Sequence, residues 1–163
     1  MFREMRRHGQ QLPREECETI LEKATSGVLA VLGDEDYPYA VPMSYVWHQG
    51  RIWFHCAKSG HKLEAIRKHP KASFCVVSQD KVVPEQYTTH YRSVIAFGLV
   101  RELTGDEALT AIRILAQKYA AGQAPETWER EIAQSKDRLC VLELEIQQLT
   151  GKEAVELSRE RKK

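Results

Sequence analysis

The sequence contains no apolar run approaching the roughly 18 residues that a membrane-crossing helix needs. It also lacks charge of either sign in excess: 24 Lys and Arg against 23 Asp and Glu leave a formal net charge of +1. A general nucleic-acid binder needs a basic surplus to displace counterions, so no nucleic-acid partner and no membrane partner are expected. Cysteine is sparse. Cys17, Cys56, Cys75 and Cys140 form no C-x-x-C pair, and Cys75 and Cys140 lie inside apolar, strand-like runs. Buried reduced thiols are the reading, rather than a disulfide framework or a zinc site. The first residues, MFREMRRHGQ, carry basic side chains without a following apolar stretch, which points to a cytoplasmic protein.

What is present fits one globular domain over residues 1–163, with 42 % hydrophobic and 29 % charged residues. The basic ends (residues 1–12 and 153–163) read as solvated, flexible or peripheral tails. Cys17, Ile20, Leu21 and Ala24 recur at helical spacing, so residues 13–25 are expected as a helix with Pro13 at its first position.

The period then changes to two. Strands are expected over 27–32, 39–48 and 51–57, the last two joined as a hairpin through Gln49 and Gly50. A charged helix follows over 60–69 and stops at Pro70. A strand over 72–78, a loop over 79–91 and a strand over 92–103 come next, with Gly98 marking a bulge or barrel bend. Thr104 and Glu107 have capping-box spacing ahead of an amphipathic helix that Gly122 ends. Pro125 opens a shorter helix, and 138–149 is the closing strand. Six short strands linked mostly by tight turns make a mainly β protein, a small barrel rather than a parallel sheet.

The turn AKSGHK leaves the 51–57 strand and starts a helix, which is where a phosphate can be held. A helix N-terminus presents unpaired N–H groups and the positive end of its dipole. Gly60 lets the backbone approach a ligand, Ser59 supplies a hydroxyl, Lys62 a point charge and His61 a further donor. The competing reading is an ordinary helix with Ser59 as its N-cap and a solvated Lys62. Along the neighbouring strands, Val41, Met43, Tyr45 and Trp47 alternate with Pro42, Ser44, Val46 and His48; Ile52, Phe54 and Cys56 alternate with Trp53, His55 and Ala57. Ser44 and His55 among apolar neighbours suit a flat aromatic ligand, although His55 equally suits a satisfied core or interface histidine. His48, His55 and His61 have no recognised metal-ligand spacing, and no metal is expected.

The stretches GVLAVLGDEDYPYAVPMSYVW, RIWFHCAKSGHKLEAIRKHPKASFCVV, YRSVIAFGLVREL and LTGKEA, in this order and spacing, resemble the flavin-binding split-barrel superfamily of the pyridoxamine-phosphate oxidases. Within it they resemble the nitroimidazole-resistance (Nim-type) group. The resemblance runs over roughly residues 10 to 157. It implies a six-stranded Greek-key split barrel, a homodimer, and FMN at the subunit interface. It further implies that Val41, Pro42, Met43, Ser44 and Tyr45 line the flavin ring. Phe54, His55 and Cys56 would lie beside the ring and ribityl chain, and Ser59, His61 and Lys62 would hold the phosphate. His55 is the candidate for proton donation or orientation at a small-molecule substrate. Two features depart from the oxidases themselves: VPMSYV carries no Arg or Lys, and the C-terminus lacks their Trp and Arg segment, so recognition of a substrate phosphate is not expected. Arg92 and Lys152 remain open between secondary ligand contacts and surface or dimer residues. The resemblance implies an FMN-dependent reductase of small, planar, electron-poor compounds such as nitroimidazoles. A flavin carrier or sensor is the alternative, and a heme- or deazaflavin-binding barrel a more distant one.

Overall fold

A computed structural model describes residues 2–163. Helix α1 (Arg14–Lys23) leads into strands β1 (Ser26–Leu32), β2 (Pro38–Ser44), β3 (Val46–His48) and β4 (Arg51–Ala57), followed by helix α2 (His61–Lys68). Strands β5 (Lys71–Val83) and β6 (Thr88–Leu103), helices α3 (Gly105–Tyr119) and α4 (Pro125–Ser135), strand β7 (Leu139–Glu153) and helix α5 (Val155–Arg161) complete the chain. The strands form one antiparallel sheet in the order β2-β1-β5-β6-β7-β4-β3.

That order explains the barrel. β2 is one edge of the sheet and β3 the other, yet Tyr45 alone separates them in sequence. One residue spans less than about 4 Å, so the sheet must curl until its edges meet. β2 comes to lie beside β4 without sharing a ladder with it, and this leaves a split in the wall.

Alternation along the strands fills the interior. Leu29, Ile52, Phe54, Phe74, Val94, Leu142 and Leu144 are buried there, with Leu21 of α1 and Leu63 of α2 closing the ends. A second apolar cluster lies outside the barrel, where α3 and α4 cover Val46, Trp53 and Val141 with Ala111, Ile112, Leu115 and Ile132. Trp53 therefore faces away from Ile52 and Phe54 and is still buried. Beneath it the carboxylate of Glu143, almost fully buried, accepts from Trp53 Nε1 (2.9 Å), Arg101 Nε (2.9 Å) and Arg51 Nη1 (3.3 Å).

Several expectations are corrected. The described residues form seven strands, because the extended stretch 39–48 breaks at Tyr45 into β2 and β3. The segment 79–91 is not a loop: β5 and β6 run on as a two-stranded arm to Val83 and Thr88. Its polar sequence looked irregular because the arm projects, leaving Val82 and Tyr87 exposed while backbone pairing keeps it extended. A register shift at Val77/Gln79 bends this arm. The bulge expected at Gly98 is present between Phe97 and Gly98, and any Cβ there would run into the Glu145 carbonyl. Thr104 precedes α3 but makes no side-chain cap; the Glu107 carboxylate is taken instead by Arg101, at 3.0 and 3.3 Å.

The two ends are packed against each other rather than solvated. Glu153 is fully buried between Arg92 (3.1 Å) and Arg161 (2.8 Å), and Gln10 donates to its carbonyl at 3.1 Å. Ser158 of α5 donates to the Gly9 carbonyl at 2.5 Å. A buried carboxylate left alone is costly, so these two arginines fix where the termini lie. Arg92 thus has a structural partner, and Lys152 stands over the Tyr91 ring at 5.6 Å. Among the described residues no helix is long and apolar enough to cross a membrane.

Candidate functional site

The turn between β4 and α2 lies at the split. Gly60, the residue before α2, has φ 128° and ψ 166°, a conformation that L side chains rarely adopt. Its carbonyl accepts from the N–H groups of Leu63 (3.0 Å) and Glu64 (3.2 Å). The first N–H groups of α2, on His61 and Lys62, have no carbonyl a turn behind them within the helix. Gly60 also decides the competing reading of Ser59: the capping position is the glycine, no side chain caps the helix, and Ser59 is exposed.

Lys62 is half-buried and its ammonium reaches back to β2, 3.4 Å from the sulfur of Met43. Among the described residues no carboxylate lies within ion-pair distance of it. The Lys62 side chain and the positive end of the α2 dipole lie on the same side of the turn, an arrangement that favours negative charge nearby.

His61 is placed differently from the sequence expectation. The Asp34 N–H donates to its Nε2 at 3.2 Å, and the ring stacks on Tyr39 with centroids 4.3 Å apart. The neutral ring consequently carries its proton on Nδ1, the single donor left for a ligand. The Asp34 carboxylate lies 3.6 Å from His61 Nε2 at the start of α2 and 3.6 Å from Lys68 at its end, so the acidic turn Asp34-Glu35-Asp36 runs alongside the helix.

The strand residues divide by face. Met43, Tyr45 and Phe54 point into the core and are buried, so their side chains offer a ligand no surface; only their backbone groups remain. The Tyr45 hydroxyl donates to the Leu21 carbonyl at 2.7 Å, and both Tyr45 and Phe54 pack edge-on against Phe74. Val41 and Cys56 are half-buried on the same inner face. Pro42 and Ser44 of β2 and His55 of β4 are exposed on the outer face. The accessible side chains of the expected set are therefore Pro42, Ser44, His55, Ser59 and Lys62, with the rim of His61.

His55 is held below the ordinary histidine range. Removal of part of its water is the larger cause and the positive charge of Lys62 the second. Its imidazole is accordingly neutral near pH 7, a hydrogen-bond donor or proton acceptor rather than an imidazolium acid. Burial pushes the Cys56 thiol up, which Lys62 and the neighbouring Cys140 partly offset.

Two residues escaped the sequence reading. The Tyr119 hydroxyl, at the end of α3, accepts the Tyr45 N–H at 2.8 Å and faces the Tyr45 and Thr25 carbonyls. Lys118 beside it stands 4.4 Å over the Tyr45 ring and donates to the Ala24 carbonyl at 2.5 Å. Together they hold the β2–β3 break that positions Ser44. Tyr119 falls at helical spacing with the apolar residues of α3, and nothing local marks its hydroxyl as a clamp on a distant strand.

Comparison with known proteins bears on this geometry. A family model described as pyridoxamine 5'-phosphate oxidase matches residues 13–153. No curated protein matches. Among solved structures, a candidate 5-nitroimidazole antibiotic resistance protein from Bacteroides thetaiotaomicron superposes with a TM-score of 0.75 at 19% identity, over 87% of this chain and 85% of that one. A FAD-binding protein from Mesorhizobium loti gives 0.62 at 21% identity, over 89% and 97% of the two chains. A FAD and heme binding protein from Mycobacterium smegmatis gives 0.73 at 20% identity, over 89% and 73%. These likenesses show the shared fold. The family model spans nearly the whole barrel, from the start of α1 to the end of β7, and so the chain belongs to the pyridoxamine 5'-phosphate oxidase family of split barrels.

Proposed function

We propose that the protein is a flavin-dependent oxidoreductase that holds FMN at the split beside β2 and β4. It would use the flavin to reduce small, planar, electron-poor compounds such as nitroimidazoles. The observation that carries the reading is Lys62: a half-buried cation without a carboxylate partner among the described residues, at a glycine-opened helix N-terminus. Ser59, the first N–H groups of α2 and Lys62 would take the phosphate. Pro42, Ser44 and His55 would meet the ring system along the outer strand face, with Val41, Met43, Tyr45, Phe54 and Cys56 contributing through backbone groups or by supporting the strands.

A terminal phosphate suits this site better than a diphosphate. The one half-buried lysine of the turn matches one phosphate monoester, while Lys58 is exposed and the acidic turn at Asp34 stands beside His61. Heme ligation by His61 is disfavoured because its Nε2 lone pair is already used. FMN, when bound, supplies the electron transfer. The chain's part is to bind, orient and hydrogen-bond: His55, neutral near pH 7, would present an N–H to the substrate or ring.

A homodimer would complete the pocket. Val28, Val77 and Ile95 are exposed on adjoining strands β1, β5 and β6, an apolar surface that a second copy would cover. The same reading places the protein in the cytoplasm, where reduced nicotinamide nucleotides are at hand as electron donors.

The test is the visible spectrum of freshly purified protein, followed by denaturation and identification of the released chromophore. FMN at about one per chain, with nicotinamide-dependent reduction of a nitroimidazole, is the expected result. FMN without turnover makes the chain a carrier or sensor. A colourless protein that does not take up FMN refutes the reading.

A further inference from the structure

Cys56 and Cys140 are far apart in sequence and face each other in the fold. In the antiparallel pairing of β4 with β7 they are register partners, Cys56 opposite Cys140, and their side chains project from the same face of the sheet. Directly opposed residues in an antiparallel ladder have Cα atoms about 4.5–5.5 Å apart, inside the range that a disulfide spans. The thiols are close enough that each affects the other's ionisation. All four cysteines are free thiols in this structure.

The surroundings favour a reaction at this pair over Cys17 and Cys75. Cys17 of α1 is buried, its sulfur packed against Gly151 and 3.9 Å from the Leu12 carbonyl. Cys75 sits opposite Val28 and Ile95 with no thiol across the ladder. Cys140, by contrast, lines a cavity of about 620 Å³ whose rim carries Lys58, Arg67 and Lys136, and Cys56 is half-buried beside it. Arg67 holds the Glu102 carboxylate in a two-point pair at 2.7 and 3.0 Å, and Cys140 donates its S–H to that carboxylate at 3.4 Å.

We infer that Cys56 and Cys140 form a reversible cross-strand disulfide when the protein meets a low-molecular-weight disulfide such as oxidised glutathione. The Cys56 thiolate attacks one sulfur of the small disulfide and expels a thiolate, giving a mixed disulfide on Cys56. Cys140 then loses its proton to solvent and attacks the Cys56 sulfur, releasing the second small thiol. Two protein thiols are oxidised, one small disulfide is reduced to two thiols, and no other reactant is needed. Cys56 attacks first because Lys62 stabilises its thiolate, whereas Cys140 faces the Glu102 carboxylate. The opposed strands hold the two Cβ atoms somewhat farther apart than the ~3.8 Å a relaxed disulfide prefers, so the bond is strained and readily reduced.

The charged and titratable groups around the pair are Lys62 and Arg67 of α2, Glu102 of β6 and the two thiols themselves, with Lys58, Asp106, Lys136 and Asp137 lining the cavity beside Cys140. Burial raises both thiols, Cys140 to about 12, so the thiolate fraction limits the rate. Closure should then quicken by up to ~10-fold per pH unit between about pH 7 and 9.

The experiment incubates the full chain with oxidised glutathione, alkylates residual thiols, and reads intact mass and bridged peptides. The expected result is loss of two hydrogens without a glutathione adduct, a single bridged peptide joining Cys56 to Cys140, and reversal by dithiothreitol. Repeating the reaction in guanidinium supplies the contrast: in the unfolded chain the shortest loop joins Cys56 to Cys75, so the pairing should scatter toward it. Cys140→Ser should instead retain glutathione on Cys56. Four unreacted thiols, a bridge to Cys17 or Cys75 in the folded protein, or a glutathione adduct that persists on the unsubstituted chain would overturn the inference.

Discussion

Replacing Lys62 by methionine removes a charge while keeping the stem that reaches Met43, and it isolates the electrostatic part of the proposed phosphate site. A charge pair at about 4 Å is worth about 1 kcal/mol in water and about 4 kcal/mol at the effective dielectric of a protein surface. Lys62 is half-buried, which places it between these limits, and Gly60 leaves the site open to water and salt. We therefore expect Lys62→Met to weaken FMN binding by about 2–3 kcal/mol, or about 30- to 150-fold in Kd. The assay is quenching of flavin fluorescence on titration with protein, run in parallel with FMN and with riboflavin, which has the same ring and no phosphate. Riboflavin affinity should not change, and the FMN loss should shrink as salt is raised. Lys58→Met, a neighbouring exposed cation, should have a much smaller effect. The reasoning is refuted if FMN affinity changes by less than about threefold, or if riboflavin loses as much as FMN.

Gly60→Ala should destabilise the protein by ~1–3 kcal/mol in urea unfolding, because alanine cannot adopt φ 128° without strain. A Cβ there meets no atom within 4 Å, so an unchanged midpoint would show that the turn relaxes and that the glycine is not a conformational requirement. The His55 imidazole should titrate below 6.5 by NMR, and Lys62→Met should move the midpoint part of the way back, since lost solvation, the larger cause, remains. The sign follows: the folded state resists protonation of His55, so its stabilisation is full above about pH 6.5 and lost as the pH falls below that value. His55→Gln should remove this part of the acid sensitivity, and an unaltered pH profile would argue against it. Glu143→Ala should cost about 1–3 kcal/mol, chiefly because the buried Trp53 N–H loses its acceptor, while the half-exposed Arg101 keeps Glu107. Glu143→Gln should recover part of that loss, and equal midpoints for the two variants would refute the hydrogen-bond account.

Much of the fold was legible in the chain. The β3–β4 hairpin at Gln49-Gly50, the bulge at Gly98 and the glycine-opened start of α2 all follow from rules acting within a few residues: period-two alternation, positive φ and helix-end chemistry. Less legible was anything that depends on a distant partner. The polar arm 79–91 read as a loop because its strands are stabilised by each other and not by burial. Thr104 and Glu107 matched a capping box, and Arg101 on the adjoining strand took the glutamate. His61 looked free to meet a phosphate until the turn at Asp34 was brought against it.

The sequence by itself determined a mainly β, barrel-forming chain with a glycine-opened turn ahead of a charged helix. Alternation, turn residues and helix starts are local, and their energies are set before the chain closes. Only the tertiary structure decided which side chains are available there. The single-residue link at Tyr45 forces the sheet edges together, turning Met43, Tyr45 and Phe54 into the core and Ser44 and His55 outward. Closure also sets Cys56 against Cys140 and leaves Lys62 without a carboxylate among the described residues. These are contacts between strands and helices remote in sequence, and no local propensity encodes them.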